Sequence, residues 1–371
     1  EKDQQNELLS LSNSQQAEFE RDVLLRSVCD TVVPKLVAED LPLLQSLLSS
    51  VFTGASVKQI EALQLRAMLK EVCQIHNLRP TDHFIDKALQ LYQVQEIRHG
   101  VMLVGPSGSG KSSILRCLLE AMERLDGQQG SIYTIDPKDI TKEQLFGSLD
   151  NTTSEWTDGI FTRIIRQIYN DVRGESLRRH WIVFDGDVDP EWAENLNSVL
   201  DDNKLLTLPT GDRLLLPSNV RILFEVENLK YATPASVSRC GTVWFSEDTV
   251  TPADMFAHTL MQLRTEPISH EVNTARLLEL QNAVADLVAQ FAEEHGLLEQ
   301  CVSWSLSHEH IMETTVCQLI GSFSSLLQQL VLDVLDYNME HLEAPMGGDH
   351  FTSFVINSML DAALWGFGGS L

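Results

Sequence analysis

Residues 105–112 read GPSGSGKS, set between the apolar run GVMLVG and the amphipathic stretch SILRCLLEAMERL. Glycines at 105, 108 and 110 let the backbone turn tightly, so that consecutive N–H groups converge on one point. A helix starting near Lys111 adds the positive end of its dipole there. The pattern G-x-x-x-x-G-K-S between a strand and a helix predicts a phosphate-cradling loop, and so an α/β layer around it. Candidate nucleotide contacts are Gly105, Pro106, Ser107, Gly108, Ser109, Gly110, Lys111, Ser112 and Ser113. Lys111 is expected to reach the β- and γ-phosphates of ATP or ADP, and Ser112 to offer its hydroxyl to Mg²⁺. The competing reading is a glycine-rich turn with an exposed lysine.

The surrounding pattern supports the loop. Residues 98–249 hold four strand-length apolar runs, GVMLVG, SIYTID, HWIVFDGD and NVRILFEV, separated by helical periods. That alternation predicts a parallel sheet with helices on both faces. KLLTLPTGDRLLLP, with Pro209 to Asp212 at its centre, reads as a β-hairpin insertion. Residues 1–97 are predicted helical, with Pro34 and Pro42 dividing the first stretch and HFIDKALQLYQVQEIR forming another. Residues 250–371 are predicted helical again. One helix there ends at Gly296, and a long apolar one runs through TTVCQLIGSFSSLLQQLVLDVLDYNMEHL.

A phosphate loop needs a second strand ending in a carboxylate that holds the Mg²⁺ hydration shell. HWIVFDGD supplies Asp185, which could otherwise be a surface aspartate capping the strand. Hydrolysing sites of this kind place a glutamate next, as general base for the attacking water. Here the next residue is Gly186, which cannot accept a proton. Asp187 is shorter and one place further on, and Glu191 and Glu194 fall in the following helix. The site is therefore expected to bind nucleotide with slow or absent turnover. Glu225, Glu227 and Asn228 stand where a polar sensor of the γ-phosphate is expected, and carboxylates there repel phosphate unless protonated or paired. Arg239 suits a finger inserted into a neighbouring site, or else a structural ion pair.

Charge narrows the partners. The 371 residues carry 27 basic and 53 acidic side chains, net −26, which argues against nucleic acid and anionic lipid. From Leu277 to Leu371 there is no Lys or Arg, so that stretch supplies no cationic sensor to a phosphate. No run approaches ~20 consecutive apolar residues, so no membrane span is expected. Cysteines at 29, 73, 117, 240, 301 and 317 form no CxxC pair and read as buried, reduced thiols of an intracellular protein. The chain starts without Met, has no signal-peptide core, and its last residues, ALWGFGGSL, stop in what reads as a continuing element.

Three segments together resemble the dynein heavy chain family, most closely the second AAA+ module of a cytoplasmic-type chain. They are GVMLVGPSGSGKSSILRCLLEAMERLDG, SIYTIDPKDITKEQLFGSLDNTTSEWTDGIFT, and the run from HWIVFDGDVDPEWAENLNSVLDDNKLLTLP to YATPASVSRCGTVWF. The likeness is strong over residues 24–250 and weaker beyond. It implies a helical lead-in over 1–97, an AAA+ P-loop NTPase large domain over 98–249 and a small helical domain over 250–371. It also implies a ring of modules within one long chain that uses ATP to walk along microtubules in the cytoplasm. Partners implied are the neighbouring AAA+ modules and the mechanical linker, which would lie near a hairpin at 204–217. Microtubules would be met only through the full-length motor. Arg239 would face the nucleotide of the first module. In that family the second module binds ATP without appreciable turnover, in agreement with Gly186. The alternative is an active ATPase using a non-standard base such as Asp187.

Overall fold

The computed structural model describes residues 20–21, 23–25, 27–28, 31–32, 35–36, 40–51, 63–149, 155–172, 178–208, 210–268, 274–341 and 343–369. Pro34, Cys29 and parts of the first predicted helical stretch lie outside the described residues, as does Pro209 of the hairpin turn. Before the sheet come α1 (Leu41–Val51), α2 (Leu63–Ile75) and α3 (Asp82–Ile97). Pro42 falls in the first turn of α1, where its missing N–H costs nothing.

The described residues group into two compact units. The first holds the sheet. β1 (Gly100–Val104) leads through the loop to α4 (Lys111–Asp126), then β2 (Gly130–Ile135). Next come α5 (Lys142–Phe146), a small hairpin of β3 (Gly147–Leu149) and β4 (Trp156–Asp158), and α6 (Ile160–Val172). β5 (Arg179–Asp185) is followed by short helical turns over Pro190–Ala193, Glu194–Leu196 and Asn197–Leu200. β6 (Leu205–Thr207) and β7 (Arg213–Leu215) form a second hairpin, before β8 (Val220–Val226), α7 (Pro234–Arg239) and β9 (Gly241–Trp244).

The sheet order is β2-β5-β8-β1-β9, and every pair is parallel. The four predicted apolar runs are its first four strands. The fifth, GTVW, is short and opens on glycine, so no strand-length run announces it. Alternation divides the side chains between faces. Met102, Val104, Ile182, Phe184, Ile222 and Phe224 join one buried cluster with Phe161, Ile165 and Ile168 of α6. Their alternates Val101, Leu103, Val183 and Leu223 are buried too, on the side where α3 and α4 lie. Both faces are thus dry, as an all-parallel sheet requires. The β6–β7 hairpin is tightened by the Leu216 N–H donating to the Lys204 carbonyl at 2.8 Å and by Gly211 at φ +88°.

The second unit contains α8 (Pro252–Thr265), α9 (Thr274–His295), α10 (Leu297–Leu306), α11 (Val316–Glu340) and α12 (Gly348–Gly368). The segment Cys73–Thr81 groups with it: the His258 ring meets the Asn77 carbonyl at 2.8 Å, and the Asn77 amide donates to Thr265 at 2.9 Å. Gly296 takes the left-handed conformation that stops α9. Thr315 and Gln318 form a capping box that starts α11. Phe323 sits between Phe256 and Phe367, with ring centroids 6.0 and 5.3 Å away. By length and composition α11 is, among the described helices, apolar enough to cross a membrane, although no unbroken apolar run spans it. Its buried residues, Leu319 to Leu335, fill the core of this unit.

One cysteine expectation is corrected. Cys73, Cys117 and Cys240 are buried, and burial pushes the Cys240 thiol up to about 12. Cys301 is half-buried and Cys317 exposed, because they fall on the outer stripes of α10 and α11.

Two glycines of the α11–α12 pair predict effects of opposite sign. A Cβ at Gly366 would meet the Phe323 backbone at 2.9 Å, whereas nothing lies within 4 Å of one at Gly321. Gly366→Val is expected to destabilise by roughly 1–3 kcal/mol through overpacking. Gly321→Ala is expected to stabilise by up to about 1 kcal/mol through helix propensity. Urea denaturation followed by circular dichroism checks both.

Candidate functional site

The loop between β1 and α4 is built on contacts that only glycine permits. A Cβ on Gly105 would sit 2.2 Å from the Phe245 carbonyl oxygen, while the Gly105 N–H donates to the Val226 carbonyl at 3.1 Å. Gly108 (φ +82°) and Gly110 (φ +86°) take left-handed conformations that other residues resist. Ser109 is buried and its hydroxyl donates to the Pro106 carbonyl at 2.8 Å, fastening the turn. Ser107 is exposed at the tip; Ser113 is half-buried in the first turn of α4. The Lys111 ammonium donates to the carbonyls of Gly105 at 2.6 Å and Pro106 at 2.8 Å. Burial lowers its pKa, and Glu225, Asp185 and Glu227 oppose that shift.

Beside the loop, β5 and β8 run in register. Phe184 pairs with Phe224, and Asp185 pairs with Glu225. The two phenyl rings stack with centroids 5.4 Å apart, and Trp192 covers Phe184 at 5.1 Å. Since successive side chains alternate faces, this aromatic layer turns Asp185 and Glu225 together to the opposite face. There Glu225 accepts a hydrogen bond from the Ser112 hydroxyl at 2.5 Å. Glu225 is 6% exposed, whereas Asp185 is open to solvent. Burial raises the Glu225 pKa; the Ser112 hydrogen bond lowers it, Asp185 raises it, and Lys111 and Arg116 lower it. The Ser112–Glu225 contact was not legible from the motif. Its signal was an acidic residue inside an apolar strand.

The residues after Asp185 turn away from the loop. Gly186 sits at φ +138°, its N–H donating to the Glu225 carbonyl at 3.0 Å. A side chain there would be strained although the space is open, with Asp136 the nearest neighbour at 3.6 Å. The Asp187 carboxylate is held by the Lys138 ammonium at 2.7 Å, a partner sequence reasoning missed. Asp187 raises the Lys138 pKa through that bond. Glu191 lies on a short helical turn capped by Asp189, and Glu194 on the next. Asn228 accepts from the Lys230 N–H at 3.1 Å, and Glu227 is exposed. The Arg239 guanidinium donates to Asp201 at 2.5 Å and to the Ala235 carbonyl at 2.8 Å, an ion pair within its own unit.

The cradle and its donors fit a magnesium nucleotide. Among the described residues no three His, Cys, Asp or Glu converge to form a protein-only metal cage. One hydroxyl and two carboxylates, all hard oxygens, suit a small cation that completes its shell from phosphate and water, as Mg²⁺ does.

Three family models match the chain. The hydrolytic ATP binding site of dynein motor region matches residues 6–112, the AAA domain of the dynein-related subfamily 100–240, and the dynein heavy chain AAA lid domain 288–371. A cytoplasmic dynein heavy chain of Paramecium tetraurelia is 47% identical over 95% of this chain, and that of Dictyostelium discoideum 42% over 95%. Dynein heavy chain-like protein 1 of Plasmodium falciparum is 53% identical over 66%. The chain spans 8% of the length of the first two relatives and 5% of the third.

The strained glycine predicts a stability effect that no contact would suggest. Gly186→Ala is expected to cost roughly 1–3 kcal/mol. A shift of the urea midpoint to lower concentration checks it; an unchanged midpoint would mean that the turn relaxes.

Proposed function

The chain belongs to the dynein heavy chain family, and from that premise we propose that it is the second AAA+ module of a cytoplasmic-type motor, holding Mg·ATP with little or no hydrolysis. The observation that carries the reading is Gly186 at φ +138° directly after Asp185, with Asp187 locked to Lys138. A general base contributes about 10²–10⁴-fold to such a reaction. This site has none in the expected place. The hydrolytic description belongs to a match that ends at Ser112, before β5 begins, so it does not bear on that vacancy of chemistry. The matches ending at 112 and starting at 100 support a junction of two modules in this chain.

Nucleotide holding is divided among named groups. The loop N–H groups and the start of α4 bind the phosphates. Lys111 moves from its own loop carbonyls to phosphate oxygens. Ser112, Glu225 and Asp185 face the cation. Magnesium, when bound, would neutralise the β- and γ-phosphates beside those two carboxylates. We divide the chain as a lead-in over 1–97, a large domain over 98–249 and a small domain over 250–371. Arg239, released from Asp201, would reach the nucleotide of the preceding module. The neighbouring modules, the linker near the 204–217 hairpin, and microtubules through the whole motor are the proposed partners. The cytoplasmic setting follows the relatives' names.

Phosphate release by the purified chain in saturating Mg·ATP is expected at background, and Asp187→Asn is expected to leave it there. Lys111→Ala should weaken ATP binding by about 10- to 100-fold, the loss of one charged hydrogen bond of roughly 1.5–3 kcal/mol. Release well above background that disappears in Asp187→Asn would instead establish an active site with Asp187 as base.

A further inference from the structure

The Ser112 hydroxyl can donate one hydrogen bond, and in this structure Glu225 accepts it. The motif assigns the cation side to Ser112 on the loop and Asp185 on β5. Yet Ser112 donates to Glu225 at 2.5 Å, on the strand between β5 and β1. Glu225 is Cα partner to Asp185 on one side and to Leu103 on the other, so it stands at the centre of the edge from which the loop springs. It is 6% exposed, and no Lys or Arg forms an ion pair with it among the described residues. Lys111, the nearest cation in the motif, is engaged with the Gly105 and Pro106 carbonyls. A buried carboxylate hydrogen-bonded to a hydroxyl and in no ion pair is costly, and more so with phosphates alongside. A divalent cation at Ser112 would resolve both.

Resting on the nucleotide reading above, we propose that Glu225 is the positioning residue that orients Ser112 toward the cation and makes nucleotide binding at this site steeply dependent on divalent metal. By accepting the Ser112 hydrogen bond it fixes the hydroxyl rotor and leaves an oxygen lone pair free for a metal. Its negative charge opposes phosphate whenever the metal is withheld. Asp185, exposed at the strand end, then acts on the water shell and not on the hydroxyl. Glu225 is thus more than a mark of a degenerate sensor strand.

The test is fluorescent ADP binding to the full chain, measured in EDTA and across a Mg²⁺ titration, for wild type, Glu225→Gln, Glu225→Ala and Asp185→Asn. Wild type is expected to bind weakly in EDTA and to tighten strongly with Mg²⁺. Both Glu225 variants should bind at least as well as wild type in EDTA, which also shows that the loop is folded. Their apparent Mg²⁺ affinity should fall about 10- to 100-fold, the usual cost of losing a partner of a metal ligand. Asp185→Asn should keep more of the Mg²⁺ effect than Glu225→Ala does. A Mg²⁺ response unchanged in both Glu225 variants overturns the proposal, as does its loss in Asp185→Asn alone. Loss of EDTA binding in both Glu225 variants would make Glu225 a packing residue and also overturn it. Failure of wild type to bind ADP with or without Mg²⁺ would instead sink the nucleotide reading, and the proposal with it.

Discussion

The parallel register of β1, β8 and β5 is the constraint on which the site depends. Phe184 and Phe224 are Cα partners and stack at 5.4 Å, so Asp185 and Glu225, one residue on, must stand together on the other face. Glu225 is also in register with Leu103, two residues before the loop begins. A slip of one residue in either strand would send the carboxylates into the aromatic layer and the phenyl rings to the loop. Burial of both sheet faces therefore fixes which face the carboxylates take, because a one-residue slip would remove Phe184 or Phe224 from the buried cluster that they share with Trp192.

The same edge separates holding a nucleotide from splitting it. The parts that the proposed reading assigns to phosphate are the close approach of Gly105 to Phe245, the left-handed Gly108 and Gly110, and the half-buried Lys111. The position after Asp185, where that reading places the residue that activates water, holds Gly186. Gly186 is more than a deletion of a side chain. Its φ of +138° shows that the backbone has turned where a glutamate would have to be carried, and its N–H is spent on the Glu225 carbonyl. Asp187, the remaining candidate, is ion-paired with Lys138 on the loop after β2. On the proposed reading, binding and turnover depend on different residues of this edge, so that a module can keep one while losing the other.

Much of this was written in local sequence. The phosphate loop, the four apolar strands, the β6–β7 hairpin and the Gly296 stop each depend on neighbours within a few residues, where period and turn chemistry are decisive. What escaped depended on distance. Ser112 and Glu225 are 113 positions apart and meet only through the strand order β5-β8-β1. Strands β3, β4 and β9 are three or four residues long, too short for a period to show. Cys317 is exposed although the absence of CxxC pairs suggests buried thiols throughout, because even an apolar helix has an outer stripe. The grouping of Cys73–Thr81 with the second unit rests on Asn77 meeting His258 and Thr265, nearly 190 positions on, and nothing local signals it.

The most direct test of a site that holds but does not split is the identity of its nucleotide through time. The purified chain would be loaded with Mg·ATP, freed of excess, and sampled over hours, with the bound nucleotide extracted and separated by chromatography. ATP that persists on the protein, declining only as fast as it dissociates, is the result expected from a grip without a base. Conversion of bound ATP to ADP faster than dissociation would contradict it, and would mean that some group other than the residue at 186 activates water.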